Sequence, residues 1–435
     1  DLYIVLLIIL VIEQIPGSDL LHDQTRKAVI TVTVFIVIAK VAQPLVESAT
    51  SGPDRIPRRQ KKTGGGKTSL MEWASSEMQG WRPAMEDATC IVASLPTPLT
   101  TQALFAVFDG HGGAQVSFIA SKEFPKVLAA CAATLSKAED SSAEANAAGD
   151  EAASEGTACS EPLNTAPSEQ GSVPDLAEVS PKLAGEALHS AMLTMDAILR
   201  RGGTGAAARN AVASGPLSRV ASQLEESNDK GNAFSTVGST AIVVLVDCGG
   251  DNNGTRSDSA AATRPRRVVV SNCGDSRAVL CRGGKAIELS EDHKPELPGE
   301  EARIRRAGGH VAMIGPCYRV DGVGLNLSRA LGDFHYKARS DLPPDQQKVI
   351  AVPEIRTLDL CEADEFLVLG CDGIFELHSS QDAVDIVRRS FQSGLSVEKA
   401  AEELCDKSCS SNLMSTCGKG GDNCSAIVVR FTAAT

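Results

Sequence analysis

The stretch Phe105-Ala106-Val107-Phe108-Asp109-Gly110-His111-Gly112-Gly113 sets the reading of the chain. An apolar strand ends in an acid, and glycines then turn the chain toward the helical pattern at Ala114–Leu135. Glycines let a backbone approach a ligand closely, so the Gly110 carbonyl could join the Asp109 carboxylate in holding a hard cation. Taken alone, the pattern is equally that of an ordinary Asp-Gly turn.

The same grammar recurs elsewhere. Phe366–Leu369 runs through Gly370 and Cys371 into Asp372-Gly373, and Gly420-Gly421-Asp422-Asn423-Cys424 opens the apolar run Ser425–Phe431. In an antiparallel sheet the end of one strand and the start of its neighbour share an edge, so these acids can converge. Asn272-Cys273-Gly274-Asp275-Ser276-Arg277 adds a hairpin turn with one more acid. In Gln79-Gly80-Trp81-Arg82-Pro83-Ala84-Met85-Glu86-Asp87 a guanidinium precedes paired acids. That is either a surface ion pair or a phosphate fork beside a metal carboxylate. None of these acids has a histidine at metal-ligand spacing, and an oxygen-only set selects magnesium or manganese over zinc or copper.

Further strands are expected at Ala103–Phe108, Thr240–Val246, Arg267–Asn272 and Ala278–Cys281. Helices are expected at Pro181–Arg200, Glu300–Ala307, Gln381–Ser393 and Val397–Cys409. Leu183, Ala187, Leu188, Ala191 and Met195 form one apolar stripe on the first of these. Hairpin strands with a few long helices predict an α+β fold of two packed antiparallel β-sheets flanked by helices, an αββα sandwich. Residues near 136–178, 201–232 and 249–265 are rich in small and polar residues and read as low-complexity, disordered insertions within one domain spanning 68–435.

The first 67 residues are expected to lie outside the fold. The chain begins at Asp1 rather than Met, as a fragment would. Leu2–Ile12 and Ala28–Ala39 are apolar runs shorter than the ~20 residues that span a bilayer as a helix. Membrane anchoring through them is the lesser alternative, and the expected location is intracellular, in cytoplasm or nucleus. Residues 43–67 read as a basic linker; their GGGKT ending lacks the earlier glycine and the preceding strand of a phosphate loop. With 55 acidic against 42 basic residues and a net charge of -13, the chain lacks the basic footprint of a nucleic-acid partner. The 13 cysteines form no CxxC pair, the pattern of reduced thiols. Cys371 reads as a buried small residue rather than a nucleophile.

In order along the chain, MQGWRPAMEDA, FAVFDGHGG, GSTA (238–241), NCGDSRAVL, EDHKP with RIRRAGGHV, VGLNLSRALGDFHYK, LGCDGIFE and GDNCSAIVV resemble the motifs of the metal-dependent protein phosphatases, the type 2C serine/threonine family. The resemblance runs from about residue 70 to residue 432. It implies hydrolysis of phosphoserine and phosphothreonine in proteins by a hydroxide bridging two Mn or Mg ions. Asp109 matches the bridging acid, Glu86 and the Gly110 carbonyl the other ligands of one ion, and Asp372 and Asp422 those of the second. Asp87 matches an acid that orients water, Arg82 the residue that grips the substrate phosphate, and His111 the general acid. The segment from His293 to about Leu331 matches a flap that influences substrate choice. One position departs from the pattern: where relatives often carry an Asp that holds a weaker third ion together with the acid matching Asp275, this chain has Glu376. Phosphorylated proteins are the expected partners and a monomer the expected state. The alternative is a catalytically silent phosphoprotein-binding module.

Overall fold

The computed structural model describes residues 56–151, 180–202, 232–249 and 265–432. Two antiparallel sheets dominate it. The first orders β1 (Arg58–Lys67), β2 (Met71–Gly80), β16 (Cys424–Phe431), β15 (Asp364–Gly370), β9 (Arg277–Arg282) and β10 (Lys285–Glu288). The second orders β14 (Glu354–Asp359), β8 (Arg267–Cys273), β7 (Ala241–Asp247), β4 (Gln102–Phe108) and β3 (Ala88–Val92).

All seven residues of β4 are buried because both of its faces are covered. Phe105 and Val107 point into the layer between the sheets, with Trp73, Ile242 and Val429. Trp73 and Phe105 meet edge to face across that layer, with centroids 5.8 Å apart. Leu104, Ala106 and Phe108 point the other way, against helices α1 (Gln115–Glu151) and α2 (Pro181–Gly202). The stripe of Leu183, Ala187, Leu188, Ala191 and Met195 is the face that α2 buries there. On the far side, α5 (Ser380–Gln392) and α6 (Val397–Ser408) cover the first sheet with Val384, Val387, Ala401 and Leu404. The layers thus run helix, sheet, sheet, helix, as the sequence predicts. Each fully buried Leu or Phe of these layers contributes roughly 2 kcal/mol.

The linker reading of residues 43–67 fails over its last ten residues: Arg58–Lys67 pairs antiparallel with Met71–Gly80. The run hides its strand character because basic residues occupy both of its faces: Lys62 points outward and reaches Glu77 at 3.0 Å, while Lys61 on the covered face reaches Asp406 at 2.7 Å. A compact unit begins at Pro57. Helix α1 also continues to Glu151, into the stretch read as insertion. The rest of the stretches read as insertions, residues 152–178, 203–231 and 250–264, and residues 1–55 lie outside the described residues. No helix among the described residues is long and apolar enough to cross a membrane, and every cysteine among them is a free thiol.

Two small sheets complete the frame. β5 (Gly110–His111), β6 (Gly238–Ser239) and β13 (Leu331–Gly332) lie side by side, and β11 (Val311–Ile314) pairs with β12 (Cys317–Val320) beyond α3 (Pro298–Arg306).

Candidate metal centre

Strand pairing places the predicted acids together. β4 delivers Asp109, β15 leads through Cys371 into the short helix α4 (Asp372–Phe375), and Asp422 immediately precedes β16, the antiparallel neighbour of β15. Two sets of ligand atoms result, each within 4.8 Å: Asp87, Asp109 and Cys371 in one, and Asp372, Glu376 and Asp422 in the other. Burial pushes the Asp109 carboxyl well above its usual range, and the charges of Asp87, Asp372, Asp422 and Asp275 push it further. The two sets therefore feel one another's charge. Burial, then the charges of Asp275, Asp422 and Glu376, does the same to Asp372. Asp87 is raised to about 7, chiefly by burial, and its Oδ2 is sealed from solvent without a hydrogen-bond partner.

Such a cluster is costly unless a cation compensates it. Clustered carboxylate oxygens, with an orphaned one among them, fit a hard divalent cation. The thiol of Cys371 is pushed well above its normal value by burial and then by Asp87 and Asp109. It accepts from the Ser425 amide at 3.2 Å and donates to the Asn423 carbonyl at 3.4 Å. It is a packed, protonated thiol.

Backbone contacts hold the acids in place. The Asp109 amide donates to Thr240 Oγ1 at 3.2 Å, the Thr240 amide returns to the Asp109 carbonyl at 2.9 Å, and Thr240 Oγ1 meets Ser276 Oγ at 2.7 Å. A Cβ at Gly110 would lie 2.3 Å from the Glu86 carbonyl, so only glycine lets these two segments touch. Ser117 Oγ donates to that same carbonyl.

Asn423, to which the sequence reading gave no role, is the clasp. Its Oδ1 accepts from the Glu86 amide at 2.8 Å, and its Nδ2 donates to the carbonyls of Gln79 at 2.8 Å and Ala84 at 3.0 Å. The Arg82–Glu86 loop is thereby fastened to the segment that carries Asp422. Its position beside Asp422 was visible in the sequence, but its bonding was not.

Several predicted residues lie outside the two sets. Glu86 joins neither, and burial raises its pKa while Arg82 and His111 lower it. Arg82 pairs with Asp422 and also feels Asp372 and Asp109. His111 Nε2 lies 2.6 Å from Asp333 Oδ2; burial lowers its pKa, but Asp333 outweighs this and the net shift is upward. Asp275 is separate as well: it is 2% exposed and bonded at 2.5 Å to Lys294 Nζ. Glu376 thus gathers with Asp372 and Asp422, while Asp275 has an ammonium partner.

The family model of protein phosphatase 2C matches residues 71–204 and 182–416. The chain belongs to the protein phosphatase 2C family. It is 31% identical over 396 residues to Probable protein phosphatase 2C 58 of Oryza sativa subsp. japonica, covering 86% of this chain and 88% of that protein. It is also 31% identical to Probable protein phosphatase 2C 60 of Arabidopsis thaliana, covering 86% and 90%. Among solved structures, a phosphatase from a pathogenic strain of Toxoplasma gondii is 25% identical with a TM-score of 0.53, over 86% of this chain and 95% of that one. As a type 2C member the protein is a serine/threonine protein phosphatase, a metal-binding hydrolase of a metal-dependent family, and its acidic groups are able to hold metal. A silent binding module is not the favoured reading.

Proposed function

We propose that this phosphatase hydrolyses phosphoserine and phosphothreonine in proteins with two divalent cations, manganese or magnesium. One would be held by Asp109, Glu86 and the Gly110 carbonyl, and the other by Asp109, Asp372 and Asp422 with Glu376 beside them. The carrying observation is the two acidic sets, Asp87–Asp109–Cys371 and Asp372–Glu376–Asp422, each within 4.8 Å, with Asp109 feeling the charges of Asp372 and Asp422. The cations supply a water of lowered pKa and neutralise phosphoryl oxygens.

The chain's own residues supply the rest. Arg82 offers two parallel donors to a phosphate dianion and exchanges part of its pairing with Asp422 for it. Asp87, with one oxygen unpartnered, accepts from water and orients it. His111 donates a proton to the departing serine or threonine oxygen, which is a poor leaving group without one. Asp275 is neutralised by Lys294, so the reading assigns two ions and no third.

The substrate groove is bounded in this reading by the segment from His293 to Leu331. Its β11–β12 hairpin exposes Met313, Ile314 and Tyr318. We assign phosphoproteins as partners, a monomeric state and an intracellular location, and no nucleic-acid partner.

Hydrolysis of a phosphothreonine peptide tests the proposal. Turnover should appear with manganese, vanish with chelator and fall by at least about 10³-fold in Asp109→Ala. Absence of turnover in the wild type, or equal turnover in Asp109→Ala, would sink it.

A further inference from the structure

Asp333 has a buried carboxylate that the reaction above does not use. It follows β13, is 1% exposed, and its backbone sits at φ 51, a left-handed conformation that non-glycine residues seldom adopt. Its Oδ1 has no hydrogen-bond partner, and among the described residues its carboxylate hydrogen-bonds only to His111. A buried charge on an unfavourable backbone persists only where the surroundings specify it.

The surroundings here are built for this contact. In the three-stranded sheet Gly238 lies opposite His111 on one side and Gly332 on the other. A Cβ at Gly238 would stand 2.1 Å from Asp333 Oδ2 and 2.5 Å from His111 Nε2, so the pair closes only over a glycine. The amide of Asp333 donates to the Val237 carbonyl at 3.0 Å, which ties its loop to the same strand.

We infer that Asp333 is a positioning residue for His111. Its carboxylate accepts from Nε2–H, which fixes the ring plane and leaves Nδ1 as the nitrogen that serves the leaving group. When the P–O bond breaks, its electron pair stays on the serine or threonine oxygen, which takes the proton from Nδ1. The imidazole is left neutral, with its remaining proton on Nε2 and still bonded to Asp333. The arrangement is that of an acid–base histidine held by a buried carboxylate.

The inference rests on His111 as proton donor, and the experiment separates the two. A phosphothreonine peptide needs a proton on its leaving oxygen, whereas p-nitrophenyl phosphate does not. His111→Ala should lose about 10²-fold in kcat on the peptide and much less on the aryl ester. Asp333→Asn, in which Asn tolerates the left-handed backbone, should lose about 10-fold or more in kcat on the peptide. KM should move less than about twofold, and the aryl ester should suffer a smaller loss. The double variant should be no slower than His111→Ala alone.

Equal losses on both substrates in Asp333→Asn, or multiplying losses in the double variant, would overturn the positioning role and leave the donor assignment standing. If His111→Ala itself shows no preference between the substrates, the donor assignment falls and this inference with it. Nitrogen-15 spectra of the ring provide a second readout: the wild type should hold the Nε2–H tautomer and Asp333→Asn a mixture. An unchanged tautomer also overturns the role. Should the Asn variant not fold, Asp333→Ser, which keeps a weaker acceptor, should lie between the two in both measurements.

Discussion

Asn423 shows how one side chain can set a catalytic geometry without touching the chemistry. It is 3% exposed and bonds the segment carrying Asp422 to the loop that carries Arg82 and Glu86. Asn423→Ala should cost about 2–3 kcal/mol in urea denaturation, because two carbonyls and an amide lose a buried partner. It should also raise KM for the phosphopeptide by loosening Arg82; a variant with unchanged stability and KM would refute the clasp. Lys294 offers a second residue-scale test. In Lys294→Met the buried carboxylate of Asp275 loses its ammonium, and the variant should bind one manganese ion more than the wild type by calorimetry, whereas an unchanged count would show that Asp275 is no latent ligand. The strand-end acids Asp109, Asp372 and Asp422 were legible because each ends or opens an apolar run. Asp333 and Asn423 were not singled out, since their partners lie 222 and more than 300 residues away in the chain.

At the scale of elements, the base of the segment between His293 and Leu331 is a buried ionic network. Glu300, on α3, accepts from Arg303 at 2.6 Å, Arg329 at 2.7 Å and Ser328 at 2.6 Å, and Arg303 also donates to the Ser328 carbonyl at 2.7 Å. Burial alone would raise the Glu300 pKa, but Arg329 and Arg303 take it down to about 2. A depressed carboxylate adds stability that is complete above its unfolded value of 4.5 and is lost as pH falls toward about 2. Glu300→Ala should therefore cost on the order of 3 kcal/mol near neutrality, leaving two guanidinium groups short of an acceptor. The gap from wild type should close on acidification from about pH 5 to about pH 2. A gap independent of pH would mean that the charge contributes nothing. His293 acts in the same direction: burial first, then Arg329, lowers it to about 4, so acid protonates it preferentially in the unfolded chain.

The unit from Pro57 onward is a sandwich whose layers follow from burial on both faces of each central strand. Its long apolar strands and helices were legible for that reason. β1, β2 and β14 were not, because polar side chains on both of their faces break the apolar pattern, as in Met71–Gly80 with Glu72, Ser75, Ser76 and Glu77. The place of β1 makes a further prediction. A chain starting at Pro57 should melt several degrees above one starting at Thr68, which loses the edge strand and the ion pair of Lys61 with Asp406. Equal melting temperatures would show that the strand adds nothing. The central claim, that Asp109 is shared by two cations, is tested most directly by manganese binding measured calorimetrically. The wild type should bind two ions per chain and Asp109→Asn at most one, weakly; a variant that still binds two with wild-type affinity would contradict the account.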